Sequence, residues 1–347
     1  MMLIPYLMEH VERGILPQHF NINFDILTTA AFHGSICIPM FLQCIIEYLA
    51  YKRFLPSKLP LVFTLANFIF LCWIPIKFVR VHQIHPFLSI IYFIYVMTHL
   101  LKFISYSHVH FNIRRISRKA FQLEEEGLDP VEEIGPDVIS ASNWEIIKKH
   151  KGNLGALISL TDMYSFIWMP AMCYQLKYPL LSRRNYLAFI GNLFGGVACC
   201  VIIVHITAQF TEPIVIEFPA LIESRNYYGI VKQFIKLTIP STVTWLIFFM
   251  SSVFNYQGQG CITKFGDREY YKDWWNCRDM NEYWRLWNIP FHRFFTRHIY
   301  YPLIRHKFSK NIALIMVFIF SALMHEYWYA APLDLVTGMT TAGFLAQ

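Results

Sequence analysis

Charged residues are scarce in this sequence: Asp, Glu, Lys and Arg make up 15% of its 347 residues. A soluble domain carries about a quarter, so the chain lacks the charge to cover a water-exposed surface. Its net charge of +7 comes from basic residues that do not alternate with aromatic ones, as they would on a nucleic-acid-binding face. We therefore exclude a soluble protein and expect no nucleic-acid partner.

Paired cysteine spacing is also missing. The sequence has eight cysteines, and five of them lie inside apolar runs: Cys37, Cys44, Cys72, Cys199 and Cys200. Zinc sites and disulfide frameworks place cysteines at short, recurring intervals. On this spacing we expect no metal site and no disulfide framework.

Apolar residues are in excess, with 55% hydrophobic residues and a mean hydropathy of +0.37. They gather in runs of about 20, the length that a helix needs to cross the hydrocarbon layer. The predicted spans are 26–50, 59–77, 84–105, 186–210, 235–256 and 311–333. A further run covers 154–174, and another begins at 335. The sequence therefore predicts an all-α polytopic membrane protein with about six full transmembrane helices.

Basic residues decide how the run 154–174 is interpreted. If it does not cross, loops 50–58, 106–184 and 257–310 share one side and hold 23 of the 30 Lys and Arg residues. A crossing would divide these residues more evenly, so the positive-inside rule favours a re-entrant or interfacial segment. Asp162 and Pro170 inside the run fit such a segment better than a lipid-facing helix. Residues 106–153 then form a cytosolic charged loop, and 257–310 a cytosolic amphipathic segment.

This topology starts the chain on the luminal side and ends it partway through a span. A half-span leaves backbone carbonyl groups unpaired in lipid. We therefore expect a truncated C-terminal span, and a single transmembrane domain over 1–347 that is incomplete at both ends.

Two adjacent ionisable residues, His325 and Glu326, lie in the middle of the last full span. Their burial costs several kcal/mol unless they face a polar cavity or find partners. Adjacent helical side chains point about 100° apart, so one can face a cavity while the other braces a neighbouring helix. A neutral imidazole is a suitable general base near neutral pH. The alternative is a histidine that is hydrogen-bonded across helices for packing alone.

A second unusual segment reads YYKDWWN at 270–276. Trp274 and Trp275 are typical of an amphipathic stretch at a membrane interface. Asp273 and Asn276 are harder to explain as interface anchors. At positions i and i+3 they would share a helix face and could form the polar end of a cavity.

The two segments together carry a family resemblance. YYKDWWN resembles the FYxDWWN signature of sterol and type 1 diacylglycerol O-acyltransferases, within the membrane-bound O-acyltransferase (MBOAT) superfamily, with Tyr270 in place of Phe. His-Glu-Tyr at 325–327 resembles the catalytic histidine motif of that family. Residues 287–293 and 297–302 look more like the diacylglycerol enzymes than the sterol ones.

The resemblance implies an MBOAT core around a reaction chamber in the endoplasmic reticulum membrane. Acyl-CoA would enter from the cytosol as co-substrate, with no cofactor, and diacylglycerol or another lipid alcohol would enter from the bilayer. His325 would be the general base, and Asn276 would position acyl-CoA or stabilise charge on the thioester oxygen. A homodimer or homotetramer would be expected. The substrate-binding candidates are Asp273, Trp274, Trp275, His292, Met324, Glu326 and Gln347.

Three other functions stay open. The same reaction could use a sterol or long-chain alcohol as acceptor. A transporter could use His325 and Glu326 in a proton relay, but it should show two symmetric halves, and the sequence has no internal repeat. An inactive fragment or regulatory paralogue is the third alternative.

Overall fold

Helices make up nearly all of the regular structure in the computed structural model, which describes residues 25–56, 58–135 and 141–345. In this part of the chain the only β pairing is an isolated bridge between Leu180 and Phe265. The helices are α1 (Ile26–Tyr51), α2 (Leu59–Val81), α3 (Pro86–Glu125), α4 (Pro130–Ile134), α5 (Ala141–Lys149), α6 (Leu160–Trp168), α7 (Tyr186–Ile206), α8 (Glu212–Ile216), α9 (Phe218–Glu223), α10 (Tyr227–Thr263), α11 (Met280–Leu286), α12 (Ile289–Phe295), α13 (Tyr301–Arg305), α14 (Lys310–Leu333) and α15 (Met339–Leu345).

Six helical segments among the described residues are long and apolar enough to cross a membrane. They are α1, α2, α3, α10, α14 and the run from α7 to the end of α9. Five of them contain one predicted span each, and α3 begins at Pro86, two residues after the start of the predicted span 84–105. The predicted all-α polytopic fold is confirmed.

The described residues form two compact units, one of residues 180–268 and one of residues 25–179 and 269–345. In the second unit, α3 is the central helix. In its apolar stretch of 18 residues, 67% of the residues are buried, compared with 22% in that of α2 and 11% in that of α14. Helices α1, α2 and α14 pack against it. Its fully buried core includes Ile36, Met40, Leu71, Phe93, Leu100 and Phe103.

In the unit of residues 180–268, α7 and α10 pack along each other. A Cβ atom at Gly195 would lie 2.9 Å from the ring of Phe254, so the approach of the two helices depends on a residue without a side chain. Cys199 is the one buried residue of α7, and the buried residues of α10 lie near its two ends, at Gln233, Gly258, Gly260 and Cys261. The other side chains of these two helices therefore suit contact with lipid.

The run 154–174 forms a 3₁₀ turn (Leu154–Leu157) and helix α6. Nine residues of α-helix span about 14 Å, too short to cross a bilayer. Ser159 caps the start of α6 by accepting a hydrogen bond from the Asp162 amide at 3.3 Å. The segment has the non-crossing form predicted from the basic residues.

The predicted charged loop 106–153 is largely helical in its described part. Helix α3 continues to Glu125, far beyond the predicted end of its span at residue 105, and α5 folds back towards it. Glu125 accepts a hydrogen bond from Lys151 at 2.8 Å, and Trp144 packs on Phe121 with ring centroids 5.2 Å apart. Hydropathy marks where an apolar run ends but not where its helix ends, which explains the difference.

The last helix also differs from the prediction, since it begins at Met339 rather than at 335. Asp334 adopts a left-handed conformation that ends α14, and Gly338 has a φ of +68°. These two residues turn the chain before α15 starts.

Lys102 is buried inside this bundle and joins α3 to α6. Its Nζ donates to the carbonyl oxygens of Phe166 at 2.7 Å, Ile167 at 2.8 Å and Met169 at 2.6 Å. The last carbonyl groups of a helix have no partners within it, and a cation there also interacts favourably with the helix dipole. Lys102 therefore fixes the end of the non-crossing segment.

We expect Lys102→Met to destabilise the protein by about 3 kcal/mol, because three buried carbonyl groups lose a charged donor. Thermal unfolding in detergent micelles measures the effect. Lys77→Met is the matched control, since Lys77 also lies in a span but is exposed over Trp73. An equal loss of stability in both variants would contradict this role for Lys102.

Candidate active site

His325 lies in the middle of α14 and is half-buried. Its Nδ1 donates to the Ser321 carbonyl oxygen at 2.7 Å. In the neutral ring the other nitrogen, Nε2, then carries the lone pair. The helix backbone thus holds the imidazole in the tautomer that accepts a proton at Nε2.

The residues next to His325 fix α14 against the core. The Tyr327 hydroxyl donates to the Cys72 carbonyl oxygen of α2 at 2.7 Å, and Trp328 Nε1 donates to the Ile90 carbonyl oxygen of α3 at 3.1 Å. Met324 is half-buried against the same core. His325 therefore sits on a helix whose rotation is set by residues on either side of it.

Glu326 binds the turn that follows its own helix. Its carboxylate accepts hydrogen bonds from the backbone amides of Gly338 at 2.7 Å and Thr341 at 3.1 Å. The adjacent histidine and glutamate therefore have separate partners, as their angular separation predicts. The glutamate braces the start of α15, and its substrate-binding role stays a prediction.

The YYKDWWN segment is not a regular helix. Trp274–Asn276 form a single 3₁₀ turn, and the Asn276 amide donates to the Asp273 carbonyl oxygen at 3.0 Å. Asp273 and Asn276 thus keep an i, i+3 relationship, but in a turn rather than on the predicted helix face. Asp273, Trp275 and Asn276 are exposed, and Trp274 is half-buried. The beginning of the predicted segment 257–310 belongs to α10, which ends at Thr263.

Backbone contacts hold this segment against α11 and α12. The Lys272 amide donates to the Leu286 carbonyl oxygen at 2.9 Å, and the Ile289 amide donates to that of Tyr270 at 3.0 Å. Tyr270 is buried. The chain that leads into the turn with the tryptophans is therefore anchored to the end of α11 and the start of α12.

Aromatic pairs connect this region to the helix that carries His325. Trp284 of α11 meets Phe318 edge to face at 5.9 Å between ring centroids, and Phe295 meets Phe320 in the same way at 6.1 Å. Both phenylalanines precede His325 by one to two turns of α14. The two helices that follow the YYKDWWN segment thus pack against the helix that carries His325.

His292 lies on α12 and is half-buried. Burial lowers its pKa, and the positive charges of Arg285 and Arg293 lower it further. It is therefore a neutral side chain between cationic residues. Gln347 lies outside the described residues.

A buried polar network around His298 was missed by the sequence analysis, which used residues 297–302 only for family resemblance. His298 Nε2 lies 2.7 Å from Ser105 Oγ, and its Nδ1 lies 2.8 Å from His108 Nδ1. Ser105 Oγ also accepts from the Tyr174 amide at 2.7 Å. Burial, with the charges of His108 and Arg297, lowers the pKa of His298 to about 2. A neutral His298 can therefore bridge α3 to the chain after α6.

A cavity of about 210 Å³ opens between α1, α2 and α3. It is lined by Glu47, Leu61, Thr64, Ser107, His108, Phe111 and Arg114. Glu47 and Arg114 form an ion pair there. Neither His325 nor Asn276 is among the lining residues.

Comparison with known proteins gives a consistent family assignment. Residues 51–333 match the model of the MBOAT, membrane-bound O-acyltransferase family. The chain is 30% identical to diacylglycerol O-acyltransferase 1-2 of Oryza sativa subsp. japonica, over 71% of this chain and 48% of that protein. It is 28% identical to diacylglycerol O-acyltransferase 1 of Dictyostelium discoideum over 94% and 50%, and 31% identical to that of Homo sapiens over 55% and 39%. The chain spans about half the length of the curated relatives it matches, or less.

We expect Glu326→Ala to release the turn before α15, because two backbone amides lose a charged acceptor. Amide hydrogen exchange at Gly338 and Thr341 should become about tenfold faster or more. Asp334→Asn is the control, since it removes the neighbouring ion pair with Arg80, while asparagine tolerates the left-handed conformation of that turn and leaves these two hydrogen bonds intact. Unchanged exchange in Glu326→Ala would contradict the bracing role.

Proposed function

The chain belongs to the membrane-bound O-acyltransferase family, and we propose that it transfers a fatty acyl group from acyl-CoA to the hydroxyl group of diacylglycerol, giving triacylglycerol. The observation that carries this proposal is the match of residues 51–333 to the family model. The 2.7 Å hydrogen bond between His325 Nδ1 and the Ser321 carbonyl oxygen leaves the lone pair of the neutral ring on Nε2, where a general base needs it. The printed names of the rice, Dictyostelium and human relatives support diacylglycerol as the acceptor.

The reaction proceeds by direct attack. His325 Nε2 removes the proton from the acceptor hydroxyl group as its oxygen attacks the thioester carbonyl carbon. The C–S bond of the tetrahedral intermediate then breaks, and the imidazolium returns its proton to the departing CoA thiolate. The return of this proton regenerates the neutral His325. Because the acceptor attacks the thioester directly, the reaction needs no covalent acyl-enzyme intermediate and no cofactor beyond acyl-CoA as co-substrate.

Asn276 donates a hydrogen bond to the thioester oxygen, or positions acyl-CoA, as negative charge develops. Its exposure supports contact with a ligand rather than a packing role. Asp273, Trp274, Trp275, His292, Met324, Glu326 and Gln347 are the further substrate-binding candidates. His292 lies between Arg285 and Arg293 along the chain, and arginine side chains bind phosphate groups such as those of CoA.

The family also bears on where the protein acts. We propose that it is a multi-pass protein of the endoplasmic reticulum membrane that forms a homodimer or homotetramer. Diacylglycerol is apolar and stays in the bilayer, so a base at membrane depth reaches its hydroxyl group without first transferring the lipid into water.

We expect His325→Ala to lower acyl transfer by about 10²–10⁴-fold, the usual effect of losing a positioned base. Microsomes from cells that express the protein, supplied with labelled oleoyl-CoA and diacylglycerol, provide the assay. His306→Ala is the matched control, because His306 is an exposed histidine just before the same helix. Activity within a few-fold of wild type in folded His325→Ala would show a structural histidine.

The acceptor is tested by giving the same microsomes labelled oleoyl-CoA with diacylglycerol, a sterol or a long-chain alcohol in turn. We expect labelled triacylglycerol as the main product. Labelled sterol ester or wax ester without triacylglycerol would contradict the proposed acceptor. A folded wild-type protein that acylates none of the three would indicate an inactive paralogue.

A further inference from the structure

Three potential metal ligands from distant parts of the chain meet between α1 and α3. His33 and Cys37 lie one turn apart on α1, and His99 lies on α3. One ligand atom from each residue lies within 4.8 Å of the other two. More than 60 residues separate His99 from the other two, so no regular spacing in the sequence could indicate this group.

His99 has a nitrogen that lacks a partner. Its Nδ1 donates to the Tyr95 carbonyl oxygen at 2.7 Å, which leaves the lone pair on Nε2. That nitrogen is buried and has no hydrogen-bond partner among the described residues, in a side chain that is 3% exposed. Leaving a buried polar group unpaired costs about 1–3 kcal/mol. A histidine that binds a metal commonly donates its other ring N–H to a backbone carbonyl group in this way.

The other two ligands are already close to a binding arrangement. His33 Nε2 lies 3.5 Å from Cys37 Sγ, about the separation of two ligands on one tetrahedral zinc ion with bonds of about 2.0–2.3 Å. The His33 ring is held beside Trp168 at 4.9 Å between centroids, and beside His99 at 5.8 Å. One ring nitrogen of His99 lies within 4.8 Å of the ligand atoms of His33 and Cys37, so an approach of about 1 Å would bring the three ligands to the spacing of a tetrahedral site.

We propose that His33, Cys37 and His99 bind a Zn²⁺ ion that fastens α1 to α3. Imidazole nitrogen and thiolate sulfur are both ligands that this borderline-soft cation accepts, and three protein ligands leave its fourth position for water. Binding replaces the Cys37 S–H bond by an S–Zn bond and releases that proton to solvent.

Lys102 lies one turn further along α3 than His99, and its positive charge would oppose the binding of a cation at this site. Three carbonyl oxygens at the end of α6 surround its ammonium group, and the Cys37 thiolate supplies one negative charge to the zinc centre. The site depends on neither the acyltransferase activity nor His325.

The test is the zinc content of the whole protein in detergent micelles, after incubation with Zn²⁺ alone and removal of unbound ions. We expect about one zinc per chain in the wild type, and a loss of at least about tenfold in Cys37→Ser and His99→Gln, since each removes one of three protein ligands. Cys44→Ser is the matched control, because Cys44 is a buried cysteine of the same helix whose Sγ contacts the Tyr106 hydroxyl at 3.3 Å. It should keep the full zinc content.

A second measurement on the unaltered chain covers the case in which a variant fails to fold. Zn²⁺ should slow alkylation of Cys37 while leaving that of Cys44 unchanged, as followed by mass spectrometry of the labelled peptides. Equal zinc in the wild type and in folded Cys37→Ser would overturn the proposal by showing adventitious binding elsewhere. Less than one-tenth of a zinc per folded wild-type chain, or equal alkylation of Cys37 with and without Zn²⁺, would overturn it too.

Discussion

A polar group inside a membrane-spanning bundle must find its hydrogen-bond partners within the protein, because lipid tails offer none. Lys102 meets this requirement with three carbonyl oxygens at the end of α6. Tyr327 and Trp328 meet it with backbone carbonyl groups of α2 and α3. These contacts fix a segment too short to cross the membrane and the rotation of α14, so the requirement for internal partners positions much of this bundle.

The same requirement separates the roles of two neighbouring ionisable residues. The carboxylate of Glu326 accepts hydrogen bonds from the backbone amides of Gly338 and Thr341, so Glu326 stabilises the turn before α15. His325 Nδ1 donates to the Ser321 carbonyl oxygen of its own helix, which places the lone pair of the neutral ring on Nε2. This contact sets the tautomer of His325 but does not by itself mark a base, since His82, His99 and His150 make the same contact with their own helices.

Sequence alone predicted the features that depend on hydropathy and charge. The six spans follow from apolar runs of sufficient length, and the basic residues indicated that 154–174 does not cross. The ends of the helices could not be predicted from hydropathy. Helix α3 continues to Glu125, because a helix does not have to stop where its apolar residues do. Contacts between residues far apart in the chain could not be predicted from the sequence. The network of His298 with Ser105 and the partners of Glu326 were missed for this reason. Trp274–Asn276 form one 3₁₀ turn, a geometry that the i, i+3 pattern alone does not distinguish from a helix.

The central claim is that His325 Nε2 meets the acceptor hydroxyl group within the membrane. An electron cryo-microscopy structure of the protein with diacylglycerol and an unreactive thioether analogue of acyl-CoA tests it most directly. The account predicts the hydroxyl oxygen within about 3.2 Å of Nε2, the reach of a general base, with the analogue contacting Asn276. An acceptor bound with its hydroxyl group out of reach of His325, or an imidazole that faces only lipid tails, would contradict it.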